Sequence, residues 1–111
     1  MSTEFDREHF EFINRHAGKY VLIRTSRSGV HFGELVRTDG KGFVSLVRSR
    51  RIWQWKGAFT LTAVAQDGVD ESETKLSRES DEMDLYDATE NATCSDKVVT
   101  QLRNMRSWVP A

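Results

Sequence analysis

The chain alternates between two hydrophobic periods, and the switches mark its elements. Residues 2–17, STEFDREHFEFINRHA, place Phe5, Phe12 and Ile13 on one helical stripe, with His9 and His16 at its edge and Phe10 off it. Ser2 or Thr3 can cap this helix, Glu4 and Asp6 suit its positive end, and Gly18 suits its stop. Strand patterns follow. YVLIRT (20–25) is rich in β-branched and aromatic residues, and SRSG supplies a turn. VHFGELVR (30–37) alternates, Val30, Phe32, Glu34 and Val36 against His31, Gly33, Leu35 and Arg37. Asp39-Gly40 signals a hairpin. FVSLV (43–47) reads as a third strand and RRIWQWK (50–56) as a fourth.

The period then returns to that of a helix. Thr60 can cap a short helix carrying Leu61, Val64 and Ala65, with Gly68 to stop it. Residues 69–84 are almost wholly polar and read as a mobile loop or exposed hairpin, because they offer little apolar area to offset chain ordering. MDLYDATENATC (83–94) is a weak strand or strand pair. SDKVVTQLRNM (95–105) is a final helix capped by Ser95, with Val98, Leu102 and Met105 on one stripe and Arg103 and Arg106 at its negative end. The expected fold is α+β: a small antiparallel sheet, open or curled into a partial barrel, flanked by N- and C-terminal helices. One domain covers residues 1–111. It divides into a helix (1–18), a sheet core with a short helix (19–69), an acidic flexible segment or hairpin (70–93), and a C-terminal helix and tail (94–111).

Charge changes this picture more than composition does. The net charge of −1 hides two opposed halves. Residues 19–57 hold nine Lys or Arg against two acids, and residues 58–96 hold eleven acids against two bases. The halves can face each other inside the fold or between copies, or the basic half can attract an anion. Pairing of the two halves, within the fold or between copies, ranks first, since a dedicated nucleic-acid binder usually shows a basic total. A single cysteine, Cys94, excludes a disulfide within the chain and fits a reducing compartment. No run approaches a membrane span, and the N-terminus lacks the layout of a signal peptide, so a soluble intracellular protein is expected, with no membrane partner.

Most chemistry fails on spacing. His9, His16, His31 and Cys94 match no metal motif, the glycines of GVHFG and DGKG precede no helix, and the acids of 70–90 lie in a solvated run. No cofactor, no metal and no enzymatic activity are expected. What remains is RRIWQWKG (50–57). In a strand, Arg51, Trp53 and Trp55 share one face, and Arg50, Ile52, Gln54 and Lys56 the other. Core packing suits at least one tryptophan, with Ile52 half-exposed. A protein interface and a stacking platform for a nucleotide are the other uses. The candidate site is a basic-aromatic patch of Arg24, Arg27, His31, Arg50, Arg51, Trp53, Trp55 and Lys56.

YVLIRT, SGVHFGELV, DGK, RRIWQWKGAFTLTAVAQDGV (50–69) and CSDKVVTQL (94–102) together resemble a family of short proteins of unassigned function from tailed bacteriophages and prophages. The family pattern runs YVIVRT, GVH, DGK, RRIWYWKGA and a late cysteine before a helix, and it spans most of residues 19–105. Gln54 departs from the aromatic the pattern carries there. The resemblance implies phage origin and host-cell cytoplasm and supplies no activity. Small phage proteins are often accessory, so the expected role is counter-defence: binding and inhibiting a host protein or sequestering a phosphorylated small ligand. A self-associating virion or assembly component, located in the virion, is the alternative. A nucleic-acid-binding regulator ranks below both.

Overall fold

A computed structural model describes residues 17–57 and 60–109. The helix read over residues 1–18 lies outside them except at its end. There Gly18 adopts φ +85° and donates its N–H to the Leu35 carbonyl at 2.8 Å. The described chain forms a six-stranded antiparallel open sheet and two helices. The strands are β1 (Tyr20–Thr25), β2 (Val30–Thr38), β3 (Val44–Gln54), β4 (Lys75–Leu76), β5 (Ser80–Leu85) and β6 (Ala88–Thr93). The helices are α1 (Leu61–Asp67) and α2 (Asp96–Asn104).

Local signals account for much of this. Asp39 Oδ1 accepts the N–H groups of Lys41 and Phe43, closing the turn between β2 and β3, and Gly40 and Gly42 supply its positive φ angles. Thr60 caps α1 by accepting from Ala63 N, and Ser95 caps α2 by accepting from Val98 N. Gly68 ends α1 at φ +89°, where a Cβ would stand 2.3 Å from Gln101 Oε1. That contact lets Gln101 bond both the N–H and the carbonyl of Val69, tying the two helices together.

Two apolar clusters lie on opposite faces of the sheet. On one face Leu22, Val30, Phe32, Ile52 and Leu76 pack beneath Leu61, Val64 and Ala65 of α1 and Val98 and Leu102 of α2. Cys94 joins this cluster, and burial pushes its thiol pKa up to about 12. On the other face Val21, Ile23, Leu35, Val44, Leu46 and Leu85 pack on one another. No helix covers that side in the described chain. The sheet covers it by coiling. β5 sits on one edge and β6 on the other, joined by only Tyr86 and Asp87. Two linking residues reach at most ~11 Å, whereas four flat strand spacings need about 19 Å. The edges must converge at that end. Asp87 fastens them to the β1–β2 turn, accepting from Ser26 Oγ at 3.0 Å and Arg27 N at 2.9 Å.

Two expectations change. The third and fourth strands are one strand, β3, bent by a bulge at Arg48, which adopts φ +50°. Phe32 pairs with Arg50 but Glu34 with Val47, so Arg48 and Ser49 together oppose Gly33. An ion pair to Glu34 and a bond from Arg48 Nε to the Tyr20 hydroxyl hold Arg48 there. The acidic segment is also no free loop. Residues 75–85 run antiparallel along the outer edge of β3 as β4 and β5, bridged by a bond from Ser77 N to the Arg51 carbonyl. Leu76 and Leu85 anchor its two ends in the two clusters, and β3 supplies the backbone partners. Acidic strands therefore border basic ones within a single chain. Arg24–Glu90 at 3.0 Å and Lys56–Glu73 at 3.2 Å are ion pairs between the two charge halves.

Candidate functional site

The bulge at Arg48 decides which side chains of β3 share a face. Before it, Val44 and Leu46 point to the coiled, helix-free side. One extra residue reverses the alternation. After it, Ser49, Arg51 and Trp53 point to that side, while Arg50 and Ile52 turn under the helices. His31 lies opposite Arg51 in the β2–β3 register and faces the same way. Where the coiled sheet opens, these residues and the β1–β2 turn, β5 and the β5–β6 link enclose a cleft of about 880 Å³. Ser49 and His31 lie deep in it, Met83 and Leu85 form an apolar wall, and Tyr86 stands at the mouth.

Four of the eight patch residues meet here: Arg27, His31, Arg51 and Trp53. The other four do not. Arg50 is 4% exposed and serves the fold. Its Nη1 donates to the carbonyls of Leu102 and Met105, each at 2.7 Å, and its Nε to that of Ser77 at 2.9 Å. A guanidinium on the last carbonyls of α2 matches the negative end of the helix. Desolvation lowers the Arg50 pKa against a smaller opposing effect of Glu79. Arg24 lies on the opposite face, paired with Glu90. Trp55 is half-buried against the helix-side cluster, so the two tryptophans of RRIWQWKG do not share a face. Lys56 pairs with Glu73. Ile52 is buried, not half-exposed.

Arg51 and Trp53 keep the features that recognition needs. Trp53 is 60% exposed, and the Arg51 guanidinium lies 5.6 Å from its ring centre. Among the described residues no carboxylate comes within ion-pair distance of Arg51. Gly29 supplies the φ of +81° that the turn beside this side chain requires, and the Arg51 guanidinium packs against it. Trp108 adds a second indole at the rim, 5.9 Å from Trp53, and Lys75 lies 4.7 Å over its ring. The tail is held there by Trp108 N donating to the Leu76 carbonyl.

His31 is 3% exposed. Its Nε2 lies 3.1 Å from Ser28 Oγ, which lies 2.9 Å from Thr25 Oγ1, which donates to the Gly29 carbonyl at 2.8 Å. The last step fixes the direction of the others. The Thr25 proton goes to Gly29, so Ser28 must donate to Thr25, and His31 must donate to Ser28. With every link of this chain made, the imidazole carries its proton on Nε2 and Nδ1 is left as an acceptor. Nδ1 is buried with no hydrogen-bond partner among the described residues. Burial lowers the pKa of His31 most, and the Arg51 charge lowers it further, against smaller opposing effects of a hydrogen bond to the Ser28 backbone and of the Asp87 charge.

Sequence reasoning missed Ser28, Ser49, Met83, Leu85, Asp84 and Asp87 as cleft residues. The β5 members came from the segment read as flexible, and no local signal ties them to β3. Among the described residues no three His, Cys, Asp or Glu side chains group to hold a metal ion, and no helix is long and apolar enough to cross a membrane.

Residues 18–102 match the model of a family described as Domain of unknown function (DUF6948). The chain belongs to this family. No curated protein and no solved structure matches it. The matched DUF6948 segment contains every residue of the cleft, from Ser26 to Asp87, while Trp108 at its rim lies beyond it.

Proposed function

We propose that this DUF6948 protein is a non-enzymatic binding protein whose cleft takes a small phosphorylated ligand carrying a ring. One observation carries the reading: Arg51, free of carboxylate partners among the described residues, lies 5.6 Å from the ring centre of the exposed Trp53, and both line a cleft of about 880 Å³. Arginine presents a planar fork that matches phosphate oxygens. An indole face receives a base or other ring. A volume in this range suits a nucleotide-sized ligand. Asp84 and Asp87 give the cleft two carboxylates of its own, and Asp87 is held by Ser26 and Arg27 N. This disfavours a long polyanion and favours a compact anion seated at Arg51. The resemblance to tailed-phage proteins supports an accessory role in the host cell, sequestering such a ligand or blocking the host protein that uses it.

The virion-component alternative has less support. It relied on the basic half meeting the acidic half between copies, and these halves border each other within one chain. Isothermal titration calorimetry with nucleoside 5′-monophosphates and dinucleotides tests the proposal. Saturable binding by the wild-type chain, lost in Arg51→Ala and weakened in Trp53→Ala, is the expected result. Equal binding by wild type and Arg51→Ala, or no binding of any phosphorylated compound, overturns it.

A further inference from the structure

The proposed site has a second polar group that an anion at Arg51 would meet. His31 and Arg51 are directly opposed on neighbouring strands and face the same cleft, which places their Cβ atoms about 4.5–5.5 Å apart. Every hydrogen of the Thr25–Ser28–His31 chain is already committed, and its direction leaves Nδ1 as an acceptor without a partner. A buried acceptor of this kind is satisfied only by a donor. An ordinary phosphate oxygen is not one, and a bare lone pair beside it is repulsive. An anion and Nδ1 can therefore share this corner only with a proton between them.

Resting on the reading of the cleft as a phosphate-ligand site, we propose that His31 and Arg51 form a proton-coupled receptor for a terminal phosphomonoester. The Arg51 guanidinium takes two phosphate oxygens. The third oxygen and His31 Nδ1 hold one proton between them. The Arg51 side chain, tethered by no ion pair among the described residues, moves toward the anion, and Nδ1, buried in the free chain, becomes accessible to it. Proton balance follows from the state of the free ligand. A monoanionic ester brings the proton as P–OH, and the complex takes up none. A dianionic ester arrives without it, and one proton enters from solvent as the complex forms. The charged and titratable groups facing His31 are Arg51 on β3, Arg27 in the β1–β2 turn, Asp84 on β5, and Tyr86 and Asp87 in the β5–β6 link. None of them is bonded to Nδ1. Phosphodiesters, which carry no ionisable proton near neutrality, are the ligands this corner discriminates against.

Phenyl phosphate is the probe, since it carries one ring and one monoester. Calorimetry at pH 7.5 in buffers of different ionisation enthalpy reads proton uptake directly. The expected result is uptake approaching one proton per bound ligand, because the ester is then mostly dianionic. Phenyl sulfate, matched in shape but not protonatable, should bind about tenfold more weakly or worse, the worth of one charge-assisted hydrogen bond. Imidazole nitrogen NMR on the wild-type chain keeps the test independent of any variant: the His31 Nδ1 signal should move from the bare to the hydrogen-bonded range on saturation. His31→Gln should bind with the proton uptake gone. Phenyl phosphate bound through Arg51 with no proton uptake and an unmoved Nδ1 signal overturns this inference alone. Absence of binding overturns the phosphate reading and the inference with it.

Discussion

Arg50 and Arg51 are adjacent, and the structure gives them opposite duties. Replacing Arg50 with methionine keeps an aliphatic stem and removes the guanidinium. Three short bonds disappear, to the carbonyls of Ser77, Leu102 and Met105. Bonds from a charged donor contribute roughly 1.5–3 kcal/mol each, so the gross loss is about 4–9 kcal/mol. Burying a guanidinium costs several kcal/mol, and methionine escapes that cost. The net expectation is a destabilisation of about 2–4 kcal/mol, a large part of the 5–15 kcal/mol typical of a domain. Arg51→Met removes no ion pair among the described residues and should stay within about 0.5 kcal/mol of wild type. Urea unfolding followed by circular dichroism reads both variants, with an unchanged slope showing that the transition remains comparable. Circular dichroism is preferred because tryptophan emission near Arg51 would respond to the substitution itself. If Arg50→Met is as stable as wild type, or if Arg51→Met is the worse of the two, the reversal of alternation at Arg48 is misplaced, and the cleft with it.

Gly33→Ala tests the same bulge from the other strand. A Cβ there would lie 3.2 Å from Ser49 Cα, Ser49 Cβ and Leu46 Cβ, so a loss of about 1–3 kcal/mol is expected by thermal or urea unfolding, and an unchanged midpoint would contradict the close crossing. Stability should also depend on His31. Its pKa is lower in the folded chain than the ordinary 6.5, so below that value the unfolded chain binds more protons. The contribution is complete above pH 6.5 and is lost as pH falls toward the folded value. Urea midpoints should drop between pH 7.5 and 5.5, and His31→Gln should reduce that drop. An identical drop in the variant would show that His31 is not its source.

Elements whose signals are local were legible in the sequence. β1 and β2 lie where the apolar and alternating runs put them, the Asp39-Gly40 turn closes its hairpin, and α1 and α2 start at Thr60 and Ser95. Each depends on residues within a few positions of one another, through capping, turn chemistry and periodicity. The candidate site was half legible. RRIWQWKG drew attention to Arg51 and Trp53, and the basic turn drew it to Arg27 and His31. It also drew in Arg24, Arg50, Trp55 and Lys56, which lie elsewhere.

Tertiary structure alone decided the rest. The polar run after Gly68 is ordered because β3 offers an unpaired edge and two leucines, Leu76 and Leu85, reach separate clusters. Neither partner is near in sequence. The face that Arg51 presents depends on one inserted residue at Arg48, which is held by Glu34 and Tyr20 from other strands. Side-chain alternation has a period of two, so a single extra residue exchanges the buried set for the exposed one. The sequence determined which residues were available for a recognition surface. The bulge and the two-residue link between the sheet edges decided which of them meet.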